Sequence, residues 1–93
     1  MPDDFAEFEN NTDKRINLHL DWDNSVASFN TTIQPGEVAK VTGFNGGTAR
    51  VCHRSDGGTY TNCATDSPIA KAGDYFILEE GGGSSTQSGS DSN

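Results

Sequence analysis

The central part of the chain alternates between apolar and polar residues in short runs. In residues 15–22 the apolar set is Ile16, Leu18, Leu20 and Trp22, and the polar set between them is Asn17, His19 and Asp21. A period of two places the two sets on opposite faces of a strand that is buried on one side only. The pattern therefore predicts a β-strand over residues 15–22.

Comparable runs predict further strands at residues 26–33, 38–44, 48–54, 59–63 and 75–78. The turns between them are predicted at Asp23-Asn24-Ser25, Gln34-Pro35-Gly36-Glu37, Asn45-Gly46-Gly47 and Asp56-Gly57-Gly58. Short strands at about this spacing are typical of small sandwiches and barrels, and no window has a helical period. We therefore predict an all-β fold: a small antiparallel β-sandwich of six to seven strands, with Greek-key or immunoglobulin-like connections.

The apolar positions of these strands define a thin predicted core. Its members are Ile16, Leu18, Leu20, Trp22, Phe29, Ile33, Val38, Val41, Val51, Ile69, Tyr75 and Ile77. A core of this size is marginal for a domain without a covalent or metal cross-link.

Length and composition indicate one domain with two different ends. The chain has 93 residues, of which 31% are hydrophobic, and this is enough for a single core. Residues 1–12 are predicted to be an acidic, loosely ordered segment, in which Phe5 and Phe8 can dock on the domain, and residues 13–80 the β-sandwich domain. Residues 81–93, GGGSSTQSGSDSN, lack apolar side chains and are predicted to be a disordered tail, either a tether or a frayed terminus.

The net charge of −8 comes entirely from the two ends. Residues 1–13 contain five acids and residues 79–93 contain three, with no base in either segment, whereas residues 14–78 are neutral overall. Binding to phosphate groups or to anionic lipid surfaces requires a basic patch on the protein. The sequence therefore argues against nucleic acid and anionic membranes as partners. No apolar run approaches the ~20 residues that a membrane-spanning helix needs. The first residues lack the basic and apolar regions of a signal peptide, so we expect either no signal peptide or a mature chain from which it has been removed. The acidity favours either solubility or an acidic arm for a basic partner.

The two cysteines are placed symmetrically about Gly57 and Gly58. A hairpin centred there puts Cys52 opposite Cys63 as a non-hydrogen-bonded pair, with Cα atoms ~4.5 Å apart. We therefore predict a Cys52–Cys63 disulfide, worth ~2–4 kcal/mol. Such a bridge in a small domain indicates an oxidising compartment, either extracellular or at the cell surface. The alternative is a reactive thiol near Arg50 and Arg54, but the Cys-x-x-Cys spacing is absent.

Candidate chemical groups are few. His19 is predicted to point away from the core, and His53 to lie on the opposite side of its strand from Cys52. Both are predicted to be exposed and without a catalytic partner. No zinc-ligand spacing is present. Asp21 and Asp23 form an oxygen-rich cluster that can bind calcium or simply cap the turn.

Polar strand faces with nearby aromatic residues suit the recognition of a sugar or a protein loop. Trp22, Tyr60 and Asn62 are the predicted ligand-binding residues. Sequons at Asn10 and Asn30 are glycosylation acceptors if the protein is a secreted eukaryotic one.

Two families resemble parts of the chain. Residues 11–58 are similar to the β-domain of the von Hippel–Lindau tumour suppressor, through an Asn-Thr opening, Trp22-Asp23, Phe29 and the stretch from Thr32 to Gly36. That resemblance implies a seven-stranded sandwich that binds peptide segments and is not an enzyme. Pro35-Gly36-Glu37 and the Gly-rich turn before Cys52 resemble the tendamistat type of secreted amylase inhibitor. The second disulfide and the Trp-Arg-Tyr triplet of that family are absent.

We expect a non-enzymatic, monomeric, secreted or surface-displayed module that binds a protein or a carbohydrate. The alternatives are a secreted effector or hydrolase inhibitor, with residues 62–70 as the exposed loop, and a calcium-binding structural module. No cofactor other than calcium is predicted. An enzyme is disfavoured because no nucleophile–base pair or carboxylate pair can be named.

Overall fold

The computed structural model describes residues 4–23, 26–55, 63–79 and 84–88. It is an all-β sandwich, as the sequence predicts, with eight strands in these residues rather than six or seven. The strands are β1 (Phe5–Asn10), β2 (Ile16–Trp22), β3 (Ser28–Ile33), β4 (Val38–Thr42), β5 (Thr48–Ser55), β6 (Ile69–Lys71), β7 (Asp74–Leu78) and β8 (Ser84–Ser88).

The strands form two four-stranded sheets. The first sheet has the order β4-β1-β7-β8 and the second has the order β3-β2-β5-β6. All neighbours are antiparallel except β1 and β7, which run parallel with Phe8 opposite Phe76. The chain crosses between the sheets after β1, β3, β4 and β6, so each sheet contains strands from both halves of the sequence.

A single core lies between the sheets. Its buried apolar residues are Ala6, Phe8, Ile16, Leu18, Leu20, Ile33, Val41, Phe44, Ala49, Val51, Ala70, Phe76 and Leu78. The rings of Phe8 and Phe76 stack with centroids 5.3 Å apart. Along β2, every second residue faces the core, as the alternation of the sequence predicts.

Two of the predicted turns have the backbone geometry that their sequence indicates. In the turn after β3, Glu37 N–H donates to Gln34 O, and Gly36 has a φ of 80°, as the third position of a type II turn requires. In the turn before β5, Asn45 and Gly46 have φ values of 51° and 81°. Asn and Gly tolerate this left-handed backbone conformation better than other residues do.

The structure corrects the prediction at both ends of the chain. Residues 5–10, expected to be loosely ordered, form β1 in the interior of the first sheet, with Ala6 and Phe8 fully buried. Their acidic residues, Glu7 and Glu9, alternate with the buried ones, so the charge does not oppose folding. Residues 84–88, expected to be disordered, pair with β7 as β8, because backbone pairing does not need apolar side chains.

Four residues of the predicted core face outward instead, in strands where the sequence does not show which face is buried. Val38 and Ile69 are 44% and 50% exposed. Tyr75 and Ile77 lie on the outer side of β7, while Phe76 and Leu78 face inward. Nearly every residue of β7 is apolar, so the sequence alone does not indicate which face is buried.

The predicted strand over residues 59–63 falls largely outside the described residues. Within them, Cys63 does not belong to a strand. The described part of the chain also contains no helix with the length and apolar character needed to cross a membrane.

Candidate functional site

A cluster of polar side chains lies at the centre of the outer face of the second sheet. His19 and Asp21 share this face of β2, and register pairing places Asn30 of β3 and Cys52 of β5 on either side of His19. His19 Nδ1 lies 2.7 Å from Asn30 Oδ1, and His19 Nε2 lies 2.8 Å from Asp21 Oδ1. We call His19, Asp21, Asn30, Cys52 and Cys63 the His19 cluster.

The predicted disulfide between Cys52 and Cys63 is present and covers this cluster. Its Cα atoms are 5.7 Å apart, compared with the ~4.5 Å expected for a non-hydrogen-bonded pair. The N–H of Cys63 donates to Asp21 Oδ2. The Cys63 sulfur lies 3.6 Å from the carbonyl oxygen of His19, in van der Waals contact, since a disulfide sulfur has no proton to donate.

These contacts bury His19, contrary to the prediction that it is exposed. Its exposed fraction is 1%, and that of His53 is 7%. His19 faces away from the core, and His53 lies on the opposite side of β5 from Cys52, as predicted, because it shares the inward side with Ala49 and Val51. The alternation indicates that His19 faces away from the core, but its burial results from the surrounding side chains, among them the disulfide-bonded Cys63.

The carboxyl group of Asp21 is held in its charged form. Partial burial raises the pKa of Asp21, but the hydrogen bond from Cys63 N–H, the contact with His19 and the charge of Arg50 together lower it below 3.8. His19 Nε2 and Asp21 Oδ1 are in hydrogen-bond contact, 2.8 Å apart. Through the bond from Cys63 N–H to Asp21 Oδ2, the pair links β2 to the disulfide.

The loop after the disulfide is exposed and anchored at several points. Residues 64–66 are exposed, while Arg50 donates a 2.6 Å hydrogen bond to Thr65 O and Val51 N–H donates to Pro68 O. Ser67 N–H also donates to Ala64 O at 3.0 Å. This is the described part of the loop predicted over residues 62–70, and these bonds connect it to β5.

The predicted calcium ligands each bond to the protein. Asp23 accepts a hydrogen bond from the hydroxyl of Thr48, and both oxygens of Asp21 are used within the His19 cluster. Calcium binding by Asp21 and Asp23 stays a prediction. In the described ranges, the group with metal-ligand proximity is His19, Asp21 and Cys63, whose donor atoms lie within 4.8 Å of one another.

Of the predicted ligand-binding residues, the structure describes only Trp22. It lies at the end of β2, is half-buried, and packs edge-on against Phe44 with centroids 5.0 Å apart. Tyr60 and Asn62 lie outside the described residues. The role of these three residues in binding therefore stays a prediction.

A second candidate surface, which sequence reasoning missed, lies on the outer face of the first sheet. Its side chains alternate with buried ones along three adjacent strands and comprise Val38 and Lys40 of β4, Phe5, Glu7 and Glu9 of β1, and Tyr75 and Ile77 of β7. We call this set the β4–β1–β7 face. The sequence feature that indicates this face is the alternation of residues in FAEFEN. The high charge of the N-terminal segment favours a solvated segment instead, and the alternation was overlooked for that reason.

Polar and apolar groups are interleaved on the β4–β1–β7 face. Lys40 Nζ lies 4.2 Å from the centre of the Phe5 ring. Tyr75 donates a 2.7 Å hydrogen bond to Glu9 Oε1. That bond, with partial burial and the charges of Glu9 and Glu7, raises the pKa of Tyr75 above 10.0. The face thus combines half-exposed aromatic rings with two carboxylates and one ammonium group.

The Asn10 sequon is structural in the folded protein. Asn10 is fully buried, and its amide nitrogen donates to Lys14 O and Ile33 O at 2.7 and 2.8 Å. Its Oδ1 accepts bonds from both the N–H and the hydroxyl of Thr12. Asn30 is exposed on β3.

Comparisons with protein-family models, with curated proteins and with solved structures find no match to this chain. The argument for its function therefore rests on the two surfaces above.

Proposed function

We propose that the protein is a non-enzymatic binding module, secreted or displayed at the cell surface, that recognises another protein through the β4–β1–β7 face. The observation that supports this most is the set of apolar and aromatic groups that remain accessible on this face, interleaved with Glu7 and Glu9 of the middle strand. Val38 is 44% exposed, and Phe5, Tyr75 and Ile77 are partly exposed on the same face of the sheet. Aromatic and aliphatic groups of this kind are enriched at the centres of protein interfaces.

The charges on this face favour a basic partner. Glu7 and Glu9 face outward from the interior strand β1, and Lys40 is the accompanying base. The whole chain has a net charge of −8, so long-range attraction also favours a partner with a positive surface. The extracellular setting is supported by the disulfide, because such bridges persist in oxidising compartments.

A panel of purified secreted proteins, chosen to span acidic and basic isoelectric points, tests this proposal by biolayer interferometry. We expect saturable binding to basic members of the panel, weakened by added salt. Val38→Lys should weaken that binding at least about tenfold, as loss of a central contact does. Ser28→Lys is the matched control, because Ser28 is also exposed on an edge strand, but on the other sheet.

Two results would contradict the proposal. One is the absence of saturable binding to any panel member by the wild-type protein. The other is a Ser28→Lys variant that loses as much affinity as Val38→Lys. Binding to a glycan array that depends on Trp22 and not on Val38 would instead favour carbohydrate recognition.

A second candidate is the inhibition of a secreted hydrolase by the loop at residues 64–69. The anchoring of this exposed loop by the disulfide and by Arg50 supports it, since a preorganised loop loses little entropy on binding. Against a panel of secreted amylases and proteases, Ile69→Glu should abolish inhibition and Val38→Lys should preserve it. The opposite pattern, or the absence of inhibition by the wild type, would contradict this candidate.

A further inference from the structure

We propose that the His19 cluster binds one zinc ion when the Cys52–Cys63 disulfide is reduced. Three side chains with zinc-binding donors meet at this point on the second sheet, and a fourth is covalently linked to one of them. His19, Asp21 and Cys63 have donor atoms within 4.8 Å of one another, and the fourth donor is the sulfur of Cys52, bonded to that of Cys63. The site concerns the reduced chain and does not depend on the proposed binding function.

The register of the second sheet brings these groups together from three separate parts of the sequence. Cys52 is the direct partner of His19 across β2 and β5, while Asp21 follows two residues later on the same face. Cys63 reaches the cluster from the following loop, where its N–H donates to Asp21. No zinc-ligand spacing is visible in the sequence because only the sheet register places these residues side by side.

The distances suit a tetrahedral ion after a small movement. Zinc–ligand bonds of 2.0–2.3 Å place tetrahedral ligands ~3.3–3.8 Å apart. The donor atoms of His19, Asp21 and Cys63 already lie within 4.8 Å of one another, so movements of about 1 Å in side chains close the site around the metal. Two thiolates, one imidazole and one carboxylate supply four ligands of types that zinc accepts.

The second shell of the site is also in place. His19 Nδ1 lies 2.7 Å from Asn30 Oδ1, which fixes the ring with Nε2 directed to Asp21. A metal-bound histidine usually donates its other ring N–H to such an oxygen, which sets the tautomer and the ring orientation. Arg50 lies near Asp21 and offsets the net negative charge of a zinc ion bound by two thiolates and a carboxylate.

The chemical steps balance with a dithiol or phosphine reductant. The Cys52–Cys63 S–S bond takes up two electrons and two protons, giving two thiols, and the reductant is oxidised by two electrons. Zinc then displaces the two thiol protons to solvent and forms two Zn–S bonds. His19 binds through the lone pair of Nε2, with its ring proton on Nδ1 facing Asn30 Oδ1, and Asp21 binds as the carboxylate. A small-molecule disulfide takes up the two electrons and is reduced to two thiols when the Cys52–Cys63 bond re-forms, and the ion is released.

The test uses the full chain, reduced with a phosphine that is then removed, and titrated with Co²⁺ as a spectroscopic substitute for zinc. We expect one equivalent to bind, with a thiolate-to-cobalt charge-transfer band and the visible bands of tetrahedral cobalt, and Zn²⁺ to displace it. The disulfide-bonded protein should give neither set of bands. If the reduced chain is unfolded without metal, Zn²⁺ should restore its near-ultraviolet circular dichroism.

Variants separate this site from adventitious binding. Cys63→Ser and Asp21→Asn should each weaken Zn²⁺ binding by the reduced chain at least about tenfold, and Asn30→Ala should weaken it about tenfold through the second shell. Asp23→Asn is the matched control, two residues from Asp21 and outside the cluster, and should bind as the wild type does. A reduced wild type without a thiolate–cobalt band would overturn the proposal, and so would unchanged affinity in both Cys63→Ser and Asp21→Asn.

Discussion

At the scale of single residues, buried polar side chains connect the strands. Asn10 is the clearest case, because its amide joins the end of β1 to the carbonyl groups of Lys14 and Ile33. Its backbone also pairs with the Pro35-Gly36 turn, through Gly36 N–H donating to Asn10 O. One residue therefore connects β1, the approach to β2 and the end of β3.

Removal of this side chain should destabilise the fold strongly. We expect Asn10→Ala to lower the free energy of unfolding by about 2–4 kcal/mol, since it leaves buried carbonyl groups without their donor. Asn11→Ala, at the exposed next position, should change it by less than about 0.5 kcal/mol. Urea denaturation of both variants measures the difference, and equal effects would show that the Asn10 amide bonds are not stabilising.

Tyr75 offers a residue-scale prediction about pH. Its hydrogen bond to Glu9 raises the pKa of the phenol above 10.0, and the protonated form is therefore favoured by folding. That contribution to stability is fully present below pH 10 and is lost as the pH rises through the higher pKa of the folded state. Ultraviolet titration of a Tyr60→Phe variant isolates Tyr75.

The pKa measured in this way should lie above 10.0, and adding Glu9→Gln should bring it back toward that value. Glu37→Gln, which removes a carboxylate that makes no contact with Tyr75, is the control. A pKa unaffected by Glu9→Gln would refute the role of the hydrogen bond.

At the scale of elements, local sequence predicts some strands well and misses others. The alternation in residues 15–22 and the turn chemistry of Gln34–Glu37 are both confirmed. The interior position of β1 was missed because its charged residues suggested a solvated segment. Alternation is the stronger signal in that case, since Glu7 and Glu9 need only face outward while Phe8 is buried.

Phe8 tests whether β1 is part of the core. Phe8→Ala should lower the free energy of unfolding by about 3–5 kcal/mol, because its fully buried ring stacks on Phe76. Phe5→Ala, on the same strand but on the outer face, should cost about 1 kcal/mol or less, mainly through the contact with Lys40. Equal costs in urea denaturation would contradict the inward orientation of Phe8.

At the scale of the whole molecule, the crossing connections make the two sheets interdependent. β1 and β7 lie side by side although most of the chain separates them. Residues of both sheets pack in one core, so neither sheet can lose its order without exposing the apolar face of the other. We therefore expect unfolding to be a single cooperative transition.

Circular dichroism checks this expectation at two wavelengths. The near-ultraviolet signal reports the packing of Trp22 against Phe44 at one end of the sandwich, and the far-ultraviolet signal reports the sheets. Both should give the same midpoint temperature, and Phe8→Ala should shift both equally. Separate midpoints would show that the sheets unfold independently.

The sequence by itself determined the features that depend on neighbouring residues. These are the all-β class, the period-two strands, two turn geometries and the pairing of Cys52 with Cys63. Each follows from local backbone preference, or from the near symmetry of a hairpin. Only the tertiary structure decided which face of β7 is buried, that β1 lies beside β7, and that His19 and Asn10 are buried. These features depend on residues that are distant in sequence. The positions of those residues are set by the packing of the two sheets against each other, which no local pattern of residues encodes.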